Sequence, residues 1–208
     1  MQRLLLAFSI LLIGTSSALA QVELNVYGGY MPPSKSQYSY YGDRVYFEDG
    51  GNFGVALGID APVPGTQIEI SYMHFSTEVS SRGGIDILFD PQKANIEYYQ
   101  IGVVKSFIED APVDPYGLFT LGASRLHPEI DNDVWNFAMN LGLGLKYFIS
   151  DRVGIRVQAR LLLPLYFAGG GFGCSIGTGG SGCGTGIGFG SEVIQGDFTG
   201  GLIFKLGE

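Results

Sequence analysis

The chain is 208 residues long, a length that fits one domain, and its 20 Asp+Glu against 12 Lys+Arg give a formal net charge of −8. That balance excludes a nucleic-acid binder, which needs a basic surface to neutralise phosphates. Glycine (33 residues), tyrosine (12) and phenylalanine (14) are abundant, tryptophan occurs once, and no helical periodicity runs through the chain, so the profile is all-β.

Met1–Ala20 has the three parts of a secretory signal: Arg3 in a short n-region, an apolar stretch over Leu4–Ile13, and small residues at Ala18 and Ala20. The apolar stretch is about half the ~20 residues that a spanning helix needs. Cleavage before Gln21 is expected, leaving 21–208 as the mature domain. No second long apolar run follows, which excludes a helical membrane protein.

The first strand, Val22–Met31, alternates Val22, Leu24, Val26 and Tyr30 against Glu23, Asn25 and Tyr27, and Pro32-Pro33 ends it. Ser34–Gly51 reads as a polar, tyrosine-rich loop. Asn52–Asp60 sets large residues (Phe53, Val55, Leu57, Ile59) against small ones, and Ala61–Gly65 is a short turn. Gln67–Ser76 carries Ile68, Ile70 and Tyr72 against Gln67, Glu69 and Ser71. A long polar connection, Thr77–Ala94, leads to Asn95–Phe107, where tyrosines occupy both faces; Ile108–Pro115 reads as a turn. Tyr116–Leu126 and Trp135–Phe148 flank a charged loop, and the second of these opposes Phe137, Met139, Leu141, Leu143, Leu145 and Tyr147 to Ala138, Asn140, Gly142, Gly144 and Lys146.

Asp151–Leu163 is the most regular segment: Val153, Ile155, Val157, Ala159 and Leu161 in one row, Gly154, Arg156, Gln158 and Arg160 in the other. A glycine-rich loop with Cys174 and Cys183 follows Pro164, and Ile194–Leu206 is the last strand, with Ile203 breaking its alternation. In a soluble sheet the apolar rows would face a core, whereas in a membrane barrel they face lipid and the charges face the lumen. The connections decide between these. They are long after the first, third, fifth and seventh segments and short after the second, fourth and sixth, the rhythm of an outer-membrane barrel. The expected fold is a closed eight-stranded antiparallel transmembrane β-barrel in the bacterial outer membrane, closed because an open edge cannot be satisfied in lipid. Export permits a disulfide between Cys174 and Cys183; two cysteines with no nearby histidine are too few ligands for a structural zinc, and no metal is expected.

The signal, the eight alternating segments and the run SDRVGIRVQARLLLP resemble the small Gram-negative outer-membrane barrels of the OmpA/OmpX/Opa type, the porin-family proteins. The final GDFTGGLIFKLG is similar to the strand such barrels present to the barrel-assembly machinery, although the chain ends Leu206-Gly207-Glu208 without a terminal aromatic. The resemblance implies that machinery, outer-membrane lipid and lipopolysaccharide as partners, a monomeric barrel, and no cofactor.

Two constellations are candidates for chemistry. Glu23, Glu69, Lys146, Arg156, Arg160, Asp197 and Lys205 fall on the lumen side. The interior of an eight-stranded barrel is just filled by side chains, so these charges must pair, and a salt-bridged plug is expected; a narrow passive pore is the alternative. His74, Ser76 and Glu78 share parity at the outer end of the third segment, the residue types of a nucleophile, its base and an orienter. Some lipid A deacylases are eight-stranded barrels with His and Ser close together. However, i and i+2 on a strand lie about 6.5 to 7 Å apart, and YMHFSTE does not otherwise match. The chain is therefore expected to be non-enzymatic, with a structural or surface-interaction role through its external loops. A lipid A-modifying hydrolase is the remaining alternative.

Overall fold

The computed structural model describes residues 21–35, 44–82, 92–108, 112–128, 133–177, 180–191 and 194–206, with the backbone alone for 165–177, 180–191 and a few strand ends. The signal segment Met1–Ala20 lies outside the described residues. The strands are β1 (Val22–Met31), β2 (Ser34–Lys35), β3 (Arg44–Phe47), β4 (Gly50–Asp60), β5 (Thr66–Arg82), β6 (Gln92–Ser106), β7 (Val113–Pro128), β8 (Val134–Phe148), β9 (Val153–Gly177), β10 (Gly180–Ser191) and β11 (Gln195–Leu206). Eight of them, β1, β4, β5, β6, β7, β8, β9 and β11, pair antiparallel in a ring that β1 and β11 close.

The register shows how the ring closes. Val153 lies opposite Phe204, then Leu24, Leu57, Ile70, Ile101, Leu121 and Met139 follow round the barrel, and Met139 lies opposite Leu163. One circuit therefore returns to β9 ten residues farther on, from Val153 to Leu163. Every residue on this circuit is apolar and faces outward. The pleat sorts the faces sharply: Leu143 on the outside is 65% exposed, and Asp197 on the inside is 0% exposed.

At the short-turn end, Gly65 adopts φ 61°, the left-handed conformation that lets the β4–β5 turn close with Ala61 N donating to Thr66 O at 2.8 Å. On the inner face glycines make room for large neighbours. A Cβ on Gly144 would lie 2.3 Å from the Tyr116 hydroxyl, and one on Gly54 would lie 2.6 Å from that of Tyr27.

The structure departs from the sequence reading mainly by lengthening strands: β5 runs on to Arg82 and β6 begins at Gln92, both inside the stretch read as the Thr77–Ala94 connection, and β7 runs to Pro128. Residues 165–177, read as a loop, continue β9, and 180–191 pair back along them as β10. Pro164 does not stop β9 because it sits where the strand changes neighbours: β11 pairs up to Leu162 and β10 begins at Leu165, so on that side no partner needs its missing N–H. The segment Ser34–Gly51 contains β2 and β3, and β3 extends the sheet by pairing the outer end of β5. β7 starts at Val113, which shortens the turn before it. Ile203, the apolar exception on the polar face of the last strand, is buried inside at 1% exposure, in keeping with its parity. The faces left open by the tyrosines of β6 are also decided: Tyr98, Gln100 and Val104 are buried inside, while Tyr99, Ile101 and Val103 face out.

Candidate functional site

The lumen is filled by three buried ion pairs stacked along the barrel. Near the short-turn end, Lys146 on β8 donates to Glu23 on β1 at 2.7 Å and to Gln67 on β5 at 2.7 Å. Across the middle, Arg156 on β9 reaches Glu69 on β5 and donates Nε–H to the Tyr116 hydroxyl at 2.6 Å. The Tyr116 hydroxyl donates in turn to Gln158 Oε1 at 3.0 Å, and the Arg156 guanidinium stacks 4.7 Å from the Tyr116 ring centroid. Nearer the loop end, Arg160 donates Nε–H to Asp197 at 2.6 Å, Asn52 donates to the other Asp197 oxygen at 2.5 Å, and Arg160 also meets Tyr27 at 3.3 Å. The Glu69–Arg156 pair joins strands on opposite sides of the ring and the Glu23–Lys146 pair spans three strands, whereas Asp197 and Arg160 face each other on the neighbouring strands β11 and β9.

These groups are buried, with Lys146 at 2% and Arg156 at 3% exposure. A charge in such surroundings is tolerated only with a well-placed counter-charge and hydrogen bonds to its remaining donors, which each pair has here. Below them a cavity of about 400 Å³ opens at the short-turn end and is floored by Glu23, Gln67 and Lys146. Of the seven lumen residues the sequence singles out, Glu23, Glu69, Lys146, Arg156, Arg160 and Asp197 form the three pairs. Lys205 stands apart from them: it lines this lower cavity, its ammonium 3.9 Å from the Phe148 ring centroid.

A second polar group lies on the outer wall, beside the loop end of β5–β8. His74 Nε2 and Ser76 Oγ are 3.1 Å apart, and Ser76 Oγ is 2.9 Å from Asn95 Oδ1 on β6. The two side chains therefore meet although their backbone positions are two residues apart on one strand. The His74 ring packs on Phe53, with centroids 5.1 Å apart. Glu78 follows on the same face, directly opposite Lys93 in the β5–β6 register. Ser76, Glu78, Lys93, Asn95 and His127 share the wall of an open cavity of about 710 Å³ with Glu48 and Asp49.

Sequence reasoning missed the neighbouring network. Glu97 lies directly across from His74 and accepts hydrogen bonds from Tyr72 at 3.1 Å, Tyr99 at 2.9 Å and Arg125 at 3.2 Å. Arg125 also pairs with Asp133 at 2.5 Å, and His127, to which the sequence assigns no role, bonds the other Asp133 oxygen. Below them Tyr99 stacks on Trp135 at 5.9 Å. The hydrogen bond from His127, with Arg125 beside it, holds the Asp133 carboxyl below its ordinary value. The signal available was parity: Glu97, Arg125 and His127 all occupy outward positions, where an apolar residue is the default.

Cys174 and Cys183 are directly opposed in the β9–β10 register, and their side chains lie outside the described residues. Among the described residues no group of three or more His, Cys, Asp or Glu is arranged to hold a metal.

No family model and no curated protein matches the chain. Solved structures do. Neisserial surface protein A superposes with a TM-score of 0.58 at 11% identity, over 89% of this chain and 97% of that one. The outer membrane protein OprG from Pseudomonas aeruginosa gives 0.59 at 10% identity, over 91% and 97%. Closed antiparallel ring, apolar outer face, charged interior and these neighbours agree: the chain folds as a small eight-stranded transmembrane β-barrel of the outer-membrane type.

Proposed function

We propose that the protein is an outer-membrane barrel whose lumen is shut and whose task lies at its surface, where the strands that outrun the barrel meet other molecules. The observation that carries this is the buried set of ion pairs at three levels: Glu23–Lys146 and Glu69–Arg156 cross the interior, and Asp197–Arg160, on neighbouring strands, reaches in to Tyr27 and Asn52. A conducting path needs a hydrated route past these groups, and an eight-stranded interior is just wide enough for its own side chains.

The extra chain length supports the surface role. About ten residues cross a bilayer as a tilted strand, whereas β9 runs for 25 and pairs with the 12 residues of β10 beyond the ring. The short turns then lie in the periplasm, and β2, β3, the end of β5 and the β9–β10 hairpin project outward. Lipopolysaccharide and other surface molecules are the partners within reach of these projections, and the exported chain enters the membrane through the barrel-assembly machinery.

Single-channel recording in planar bilayers tests the closed lumen. No steady unitary conductance is expected; reproducible steps would show a pore instead. Deleting 165–191 tests the surface role: the barrel should still fold, and adhesion of cells expressing it to the partner surface should fall to the level of cells without it.

A further inference from the structure

Beyond the surface role, the outer wall carries a nucleophile set at a lipid boundary. We propose that His74, Ser76 and Asn95 form an esterase site for long-chain acyl esters whose head groups are uncharged or cationic. Three observations converge. The Ser76 hydroxyl is within hydrogen-bond reach of an imidazole nitrogen, at 3.1 Å, and of a side-chain amide, at 2.9 Å. It lines a cavity of about 710 Å³ that opens to solvent. Two pairs of residues farther down the same outer face, past Tyr72, Tyr99 and the Glu97–Arg125 pair, an apolar wall begins: Ile70 on β5 and Ile101 on β6 lie directly opposite each other and are 52% and 54% exposed. From Ile70 to Ser76 is roughly 20 Å along the strand at ~3.3 Å per residue, a distance an extended fatty-acyl chain can cover. A lipid whose chain lies on that wall would bring its ester to Ser76 and its head group into the cavity.

The step balances without a cofactor. The two ends of an amide exchange by a half-turn; with the Asn95 NH2 toward Ser76, the serine hydroxyl donates to His74 Nε2. Ser76 Oγ attacks the carbonyl carbon while its proton passes to His74, and the carbonyl π pair moves onto oxygen, where the Asn95 NH2 donates to it. The C–O bond to the head group breaks, and the leaving alkoxide takes the proton from His74. Water from the open cavity then attacks the acyl-serine, giving its proton to His74, and serine departs with that proton to leave the fatty acid. Overall, ester and water become alcohol and acid.

The cavity selects the head group. Its wall carries the carboxylates Glu48, Asp49 and Glu78 against Lys93 and His127, so an anionic phosphate is repelled.

The test uses the full mature barrel folded in detergent, with monopalmitoylglycerol as the neutral ester and palmitoyl-lysophosphatidylglycerol as the anionic one. Palmitate release is followed by mass spectrometry. Release from the neutral ester is expected to be at least about tenfold faster, and Ser76→Ala and His74→Asn should each lower it by roughly 100-fold or more. A fluorophosphonate should label Ser76 in the wild type and not in His74→Asn. No release from either ester, or full release by Ser76→Ala, overturns the esterase and leaves the closed-lumen reading untouched. Equal or faster release from the anionic ester overturns the head-group assignment. Slower electrophoretic migration after boiling confirms that each variant is folded before it is assayed.

Discussion

Arg156 has little freedom to change, since Glu69 and the Tyr116 hydroxyl hold its guanidinium and the Tyr116 ring covers it. Glu69→Ala strands a buried cation and should destabilise the barrel by about 3–5 kcal/mol. Urea unfolding in vesicles, read through the single tryptophan, Trp135, measures this; a loss below about 1 kcal/mol would mean that water reaches the lumen. Gly144→Ala attacks the same group from behind. Its Cβ would lie 2.4 Å from Tyr116 Cζ and 2.5 Å from the Val157 carbonyl oxygen, one of them backbone, so overpacking of about 1–3 kcal/mol is expected in the same titration. Which side chains face inward was legible, because alternation alone puts Glu23, Glu69, Lys146, Arg156, Arg160 and Asp197 on one side. Which carboxylate meets which cation was not, since partners such as Glu23 and Lys146 are 123 residues apart and only the register round the ring aligns them. The contact of His74 with Ser76 was discounted on mean strand spacing, and rotamers decide it.

At the scale of the element, β9 shows both the reach and the limit of pattern reading. Its first ten residues alternate cleanly. Beyond Leu163 the glycines carry no alternation to read, and the continuation into a hairpin depends on β10 lying alongside. Direct opposition of Cys174 and Cys183 suits a cross-strand disulfide. Non-reducing mass spectrometry after alkylation should find the mature protein unmodified, and reduction should add two alkyl groups; alkylation without reduction would show free thiols. The β7–β8 connection gives a pH prediction. Because the Asp133 carboxyl is depressed, its ties to His127 and Arg125 favour the folded connection above the ordinary aspartate value and are lost as pH falls through the folded one. Amide exchange at residues 133 and 134 should therefore gain its pH-specific acceleration only in strong acid, and Asp133→Asn should show the faster exchange at neutral pH as well.

For the whole molecule, the loop rhythm and the eight alternating segments carried the architecture, while the amount by which the ring is sheared was invisible without the pairings. Neither face of a strand records how far its neighbour has slid. Boiled and unboiled samples should migrate differently on a gel, and co-migration would contradict a closed barrel. The ten-residue offset between Val153 and Leu163 also sets how the molecule meets its solvent. With strands ~4.8 Å apart and rising ~3.3 Å per residue, that offset over eight strands tilts them by about 41°. The apolar stretch from Val153 to Leu163 then stands roughly 25 Å tall, shorter than the ~30 Å core of an average bilayer. Hydrophobic mismatch thus becomes a sorting force: refolding yield should peak in vesicles whose hydrocarbon core is near 25 Å and decline as acyl chains lengthen. A bilayer of ordinary thickness would have to thin around the barrel, and a thin one receives it without distortion.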